Sequence, residues 1–301
     1  MLALQLLFNA LALGAAYALV ALGFVLILNA TGAVNFSQGD LVMAGGYGGI
    51  ALFAWWPAPG IVLLPLLLAG MAALGLLVAL VAYFPLRRRP PEAVFISTIA
   101  VGIILQNAAN LLFGPELRRT PALLGDGEFH IGALVVSPQS LAIIAVAALL
   151  IAALHLLFSR TQFGRRLRAT AQDREVAATL GIPVDAMVAA TFAVGVALAG
   201  AAGLLLARGF FVAPTDGANY MLKAYVAVVI GGWGSIPGAV AGAGLIALFE
   251  VIYPALPALV PGLGGALFSQ NAATIVLDAL ILLILLVRPH GLFGEASRAR
   301  A

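Results

Sequence analysis

RTQFGRRLRATAQDREVAATLGIP, residues 160–183, is the only long polar passage set between two long apolar blocks of this chain. Five arginines (Arg160, Arg165, Arg166, Arg168, Arg174) crowd toward its start. A short helix reads from about Ala171 to Leu180, with Thr170 placed to cap it and Asp173 near its positive end. Gly181 then offers the left-handed conformation that closes a helix, and Pro183 cannot continue the ladder. Three- and four-residue spacing puts Asp173, Val176, Ala177 and Leu180 on one face, while Arg174 and Ala178 look elsewhere. Such a helix has two readings: a knob for a partner's groove, or an ordinary polar loop whose arginines keep a membrane protein oriented.

Outward from this loop the chain is apolar. Of its 301 residues 63% are hydrophobic and only 9% charged, and the mean hydropathy is +1.12, far outside the range of soluble domains. Several blocks reach the roughly 20 residues that cross a bilayer as helix, and abundant Gly and Ala argue against the alternation of a β-barrel. The expected fold class is therefore all-α: one transmembrane domain over residues 1–301, a polytopic bundle of about eight to nine segments with broken or re-entrant helices. The polar loop at about 159–185 is its main extramembrane feature. A net charge of +3 mostly reports loop arginines that fix topology, and nucleic acid is not implied. With no cysteine, disulfides, thiolate metal sites and cysteine nucleophiles are removed together.

In chain order, a first span reads from Ala3 to Leu28. It is followed by Asn29–Asp40, a polar, Gly-broken connection without Lys or Arg. A Gly-loaded second span (about Leu41–Trp56), a third (Ile61–Phe84) and a fourth (Val94–Phe113) follow, with Arg87, Arg88 and Arg89 between the last two. In the fourth, Gln106 and Asn110 share a face and need partners away from lipid, either a neighbouring helix or a polar path. Gly114–Pro138 reads as an external loop. A fifth span (Gln139–Phe158) and a sixth (Ala186–Ala207) flank the basic loop. Met221–Tyr253 is too long for one span and is interrupted by Gly231-Gly-Trp-Gly-Ser-Ile-Pro237-Gly238, so it reads as two pieces, the first short and either crossing or re-entrant. A last span is expected at Ala272–Val287.

Placing Arg87–Arg89, Arg160–Arg174 and the tail inside leaves only Arg118, Arg119, Arg208 and Lys223 outside, as the positive-inside rule favours. No phosphate-binding Gly-x-x-x-x-Gly-Lys-Ser/Thr loop occurs, the histidines are scattered, and no catalytic residue, metal site or cofactor is read from the chain. Buried acids are expensive in a bilayer, so Asp40, Glu250 and Asp278 mark a pathway or paired contacts. For Asp278 a helix-to-helix contact is favoured, and for Glu250 and Lys223 an interfacial, snorkelling position.

Several separated motifs now agree in order. They are Val34-Asn-Phe-Ser-Gln-Gly39-Asp40, Arg165-Arg-Leu-Arg-Ala-Thr-Ala-Gln-Asp173 running into Glu175-Val-Ala-Ala-Thr-Leu-Gly-Ile182, Gly231–Gly238, and the closing Arg288-Pro-His-Gly-Leu-Phe-Gly294. Together they resemble the permease subunits of the hydrophobic, branched-chain amino-acid ABC importers. The Glu175–Gly181 segment is similar to the Glu-Ala-Ala-x-x-x-Gly loop of such permeases, with Val176 where Ala is usual. The resemblance implies a bacterial cytoplasmic (inner) membrane location and a core of two permeases, related paralogues or two copies. It also implies two ATP-binding cassette subunits and an extracytoplasmic substrate-binding protein, with membrane lipid around the bundle. By the same resemblance Arg168, Asp173, Glu175, Ala178 and Gly181 couple to the ATPase, which does the hydrolysis.

For the substrate path there are two readings of the broken stretches Asn35–Asp40 and Gly231–Gly238: they face each other near the bundle axis, the reading taken here, or both are tight cytoplasmic turns between helices, since Gly and Pro also make plain turns. Asn35, Ser37, Gln38 and backbone around Gly232 and Ser235 would offer donors and acceptors, and Asp40 would cap the following helix. Relatives in the family handle branched-chain and other hydrophobic amino acids, urea and small amides. The rival reading is an ion-coupled secondary transporter or channel for a small polar solute, using Asp40, Glu250 or Asp278 as ion sites.

Overall fold

The computed structural model describes residues 2–120, 122–124, 127, 129–131, 134–260, 268–287 and 291. In lipid every backbone group must be satisfied within the chain, so long apolar blocks close into helices. They form α1 (Leu2–Thr31), α2 (Gln38–Trp55), α3 (Gly60–Val78) continuing into a π-helical turn (Ala79–Tyr83), α4 (Pro91–Phe113) and α5 (Pro138–Arg160). After the polar loop come α8 (Val184–Phe210), α9 (Gly217–Gly231), α10 (Ile236–Ile252), the short α11 (Leu256–Leu259) and α12 (Gln270–Val287). Among the described residues six helical stretches are long and apolar enough to cross a membrane, and α2, α9 and α12 are shorter. The all-α membrane bundle is as the sequence indicates. The connection between α4 and α5 adds one local feature, an antiparallel hairpin of β1 (Phe129–Ile131) and β2 (Leu134–Val136). The Gln5 side chain secures it by exchanging hydrogen bonds of 2.9 and 3.0 Å with the Val135 backbone.

α1 and α8 form the buried centre. α8 packs against α2 and α3, and α1 against α8, α10 and α5. Lipid tails give helices no hydrophobic reason to associate with one another, so small residues bring the backbones close. A methyl group on Gly203 would lie 1.9 Å from the Val42 carbonyl oxygen, and one on Gly23 2.4 Å from that of Gly195. α4 and α5 are peripheral, turning Ile104, Leu111, Leu112 and Leu149 outward.

The basic connections gather at one end. Arg87 pairs with Asp185, and Arg174 reaches the Ala30 carbonyl and the Tyr83 hydroxyl. The end of α1, the π-turn and the start of α8 therefore share this Arg-rich end. At the opposite end Arg118 and Val212 pair through their backbones at 3.0 and 2.8 Å. Lys223 belongs to neither end, contrary to the expected external or snorkelling position. It lies inside the bundle, 2.9 Å from Glu250, because a buried carboxylate on α10 gives it a closer partner than interfacial water.

Two helices begin inside the bundle. The Gln38 amide nitrogen would lie 2.6 Å from a methyl on Gly23, eight residues and about 12 Å before the end of α1. The connection after α1 therefore climbs back into the bundle before α2 starts. α9 begins beside it, where a methyl on Gly39 would lie 1.9 Å from the Gly217 carbonyl oxygen. At 15 residues, or about 22 Å, α9 is shorter than a bilayer. The stretch 211–216 descends from the Arg118–Val212 bridge to meet it. Extended chain plus short helix completes a crossing, and α9 ends at the Arg-rich end, where Asn29 donates to the Gly234 carbonyl at 2.8 Å.

Candidate functional site

The inner start of α2 is held by its own side chains. Asn35 Oδ1 accepts from the Ser37 backbone amide (3.2 Å) and hydroxyl (2.7 Å), and Asn35 Nδ2 donates to Gln38 Oε1 at 3.4 Å. This is how Asx turns stabilise a chain reversal. Thr98 on α4 accepts from the Phe36 amide at 3.0 Å. Asn35, Ser37 and Gln38 are all buried, so they brace the start of α2 and turn their polar atoms toward one another. The Gln38 side-chain nitrogen has no partner among the described residues.

Asp40 is placed differently. It sits in the first turn of α2, caps no helix, and accepts a 2.8 Å hydrogen bond from Gln106 on α4 through Oδ1. Space for its carboxylate comes from two absent side chains. A methyl on Gly217 would lie 1.8 Å from Oδ1, and one on Gly102 2.3 Å from Oδ2. Asp40 and Gln106 line a cavity of about 510 Å³ between α4 and α9, whose other walls include Ile99, Ile103, Met221 and Tyr225. The size and the mostly apolar lining with a few polar groups suit a small-molecule site. Gln106 thus finds its partner away from lipid and also lines a polar spot, and Asn110 is exposed.

The two broken stretches do not face each other. α9 separates them, so Gly232 and Ser235 lie at the Arg-rich end while Asp40 lies about 20 Å away by the rise of that helix. Gly232 ends α9 with φ 116°, and the Ser235 hydroxyl caps α10 by accepting from the Gly238 amide at 3.1 Å. Of the closing motif only Gly291 lies within the described residues. It packs close to the Val229 carbonyl and Gly232. Asp278 is half-buried on α12.

Outside the bundle the polar loop folds as two helices, α6 (Gln162–Gln172) and α7 (Arg174–Thr179). The helix expected at Ala171–Leu180 is thus divided at Asp173, and Thr170 is not its cap. Asp173 caps α7, accepting from the Glu175 and Val176 amides at 2.9 and 3.0 Å. Thr161 caps α6, and Thr170 instead donates to the Arg166 carbonyl. A carboxylate accepting two amides is a stronger cap than a hydroxyl inside a helix. α7 ends as the sequence indicates: Gly181 takes φ +77°, the Gly181 amide donates to Ala178 (3.0 Å) and the Ile182 amide to Ala177 (3.1 Å). That pair of bonds is the Schellman closure.

Arg168, Asp173, Glu175, Ala178 and Gly181 are exposed on this double helix, as are the apolar Val176 and Leu180. Ala177 turns inward instead of joining them. Sequence reasoning missed Arg174, whose two hydrogen bonds fasten α7 to α1 and to Tyr83. It also missed Thr98, Gly102 and Gly217. Two glycines on different helices signal nothing until a carboxylate is seen between them.

Comparison with known proteins follows the same outline. Over 97% of this chain and 96% of the relative, the chain is 34% identical to the high-affinity branched-chain amino acid transport system permease protein BraD of Pseudomonas aeruginosa. It is 33% identical to LivH of Escherichia coli K12, described by the same phrase, over the same shares. It is 29% identical to a probable branched-chain amino acid transport permease protein LivH of Methanocaldococcus jannaschii over 92% of this chain and 88% of that one. Residues 6–286 match the family model for the permease component of branched-chain amino acid transport systems, and this chain, a multi-pass protein of the cytoplasmic membrane, belongs to that family of transport permeases.

Proposed function

We propose that the chain carries branched-chain or similar aliphatic amino acids across the membrane as one half of a two-permease core, with a related paralogue or a second copy as the other half. Two ATP-binding cassette subunits and an extracytoplasmic binding protein complete the machine, and ATP hydrolysis falls to the cassettes. The carrying observation is α7. It presents Val176 and Leu180 to water at the Arg-rich end, on a helix capped at one end and closed at the other, with Arg174 tying it to the bundle. Two large apolar side chains, one on a six-residue helix and one at its C-cap, suit insertion into a partner's groove. Arg168, Asp173 and Glu175 supply exposed charges on the same double helix, the small Ala178 leaves room for a partner's side chain, and Gly181 permits the turn back. On the membrane side, the path passes the Asp40 cavity, with Asn35, Ser37 and Gln38 bracing its wall. Gly232 and Ser235 shape the route where α9 gives way to α10.

The test is Val176→Asp together with Leu180→Asp in the complete transporter. Burying two carboxylates in an apolar groove is strongly unfavourable, so the cassettes should no longer co-purify and ATP-dependent uptake of leucine should stop, while membrane insertion of the permease is unchanged. Retained co-purification with full uptake would reject α7 as the coupling element.

A further inference from the structure

The cavity at the inner ends of α2 and α9 has one unusual wall, and it sets what the cavity can hold. Asp40 is only 6% exposed, yet its carboxylate receives a single hydrogen bond, from Gln106 to Oδ1. No donor reaches Oδ2 among the described residues, and the lysine on α9 is turned away toward Glu250. A carboxylate removed from water keeps its charge at low cost only when a cation or several donors face it. Directly beside Asp40, so close that a methyl on Gly217 would lie 1.8 Å from Oδ1, α9 begins with Gly217 and Ala218, which line the same space. No side chain caps that helix. Free amides at a helix start favour a negative group. The walls around this pair include Ile99, Ile103, Met221 and Leu222, apolar side chains that offer no hydrogen-bond donor.

We propose that this cavity is a substrate subsite that reads the zwitterionic head of an aliphatic α-amino acid. Asp40 receives the ammonium group, the start of α9 receives the carboxylate, and the side chain lies along Ile99, Ile103 and Met221. Gln106 orients the Asp40 carboxylate and leaves Oδ2 for the ligand. Gly102 and Gly217 keep the carboxylate's place open. The inference rests on the transport reading above and adds to it the group that is recognised. A ligand without an ammonium group brings Asp40 no counter-charge, so urea and neutral amides, which offer only neutral N–H donors, and fatty acids, which offer none, are poorer occupants of this site.

The chain has no cysteine, which permits a direct test in the complete transporter. Ile103→Cys places one thiol on the cavity wall, on a side chain that is 53% exposed. Its rate of reaction with a small methanethiosulfonate is followed against added leucine, 4-methylpentanoate, which lacks the ammonium, and 3-methylbutylamine, which lacks the carboxylate. Leucine should slow the reaction, and 4-methylpentanoate should not. The amine should protect more weakly than leucine. Adding Asp40→Asn should raise the leucine concentration for half-protection about tenfold or more, the usual scale for losing a charged hydrogen bond. Equal protection by 4-methylpentanoate, or unchanged leucine protection with Asp40→Asn, would overturn the proposal. Leucine uptake by the unmodified transporter tests the transport reading separately. Uptake without Asp40-dependent protection rejects the subsite alone, and absence of both uptake and protection rejects the transport reading with it.

Discussion

Asp40, near the start of α2, and Glu250, near the end of α10, are both carboxylates held inside the helical bundle, but their surroundings are opposite. Glu250 is closed. Lys223 lies 2.9 Å from Oε1 and 3.2 Å from Oε2, the Tyr17 hydroxyl donates to Oε2 at 2.8 Å, and Lys223 in turn donates to that hydroxyl at 2.6 Å. Three helices, α1, α9 and α10, contribute one member each, and the charges cancel. Asp40 is open, with one amide donor, one free oxygen and a cavity before it. A saturated network at membrane depth fixes helix positions, and an unsaturated one holds capacity for a ligand. The two sites share α9, so the closed one sets the position of the helix that forms one wall of the open one.

The sharpest way to break this contrast is to open the closed site. Glu250→Ala leaves the Lys223 ammonium without its counter-charge. Removal of one member of a buried pair costs about 3–5 kcal/mol, and Lys223, with 28% of its side chain exposed, places the expectation near the lower end. Thermal unfolding of the detergent-solubilised protein should show a large loss of stability. The paired replacement Lys223→Met with Glu250→Gln should recover most of it. A Glu250→Ala protein that is as stable as the parent but does not transport would make Glu250 a working group and end the comparison.

How far each site was legible in the sequence follows from the range of its interactions. The spans were legible because length and apolarity are local properties, and the end of α7 was legible because Gly181 and Pro183 act on their own backbone. The division at Asp173 was not. α6 is a polar, amphipathic helix that buries only Gly164, Leu167 and Thr170, so no apolar run announces it. Lys223 and Glu250 are 27 residues apart, and nothing in either neighbourhood names the other. The depth of Asn35–Asp40 depends on where Gly23 and Gly195 allow the chain to pass. The same chain can be drawn as a plain surface turn, and only packing distinguishes the two.

A smaller effect is expected at the open site. Gln106→Leu removes the only side-chain donor to Asp40 among the described residues and leaves the carboxylate near Gly102 and Gly217. The stability cost should be about 1–2 kcal/mol, that of one charged hydrogen bond partly compensated by the cavity's access to water. Transport should suffer more than stability, with the KM for leucine rising and the maximal rate changing less, because the carboxylate remains but is no longer oriented. If stability falls as far as in Glu250→Ala while KM is unchanged, Asp40 is a structural contact like its counterpart.

The smallest effect should come from Tyr17→Phe, which tests whether the closed site is redundant as its geometry indicates. The substitution deletes a hydroxyl that accepts from Lys223 and donates to Glu250. It leaves the direct Lys223–Glu250 contacts, and the ring remains beneath the ammonium, 4.8 Å from Nζ to the ring centroid in the parent protein. Each charge keeps its main partner, so no uncompensated group is created. Polar contacts between membrane helices average about 0.6 kcal/mol, because unfolded helices in lipid also find partners. The expected loss is therefore about 0.5–1 kcal/mol, seen as a small downward shift in unfolding temperature with leucine uptake unchanged. A loss as large as that of Glu250→Ala would mean that the hydroxyl, and not the ion pair, holds α1 to α9 and α10. The closed site would then be a hydrogen-bonded relay whose charges are secondary.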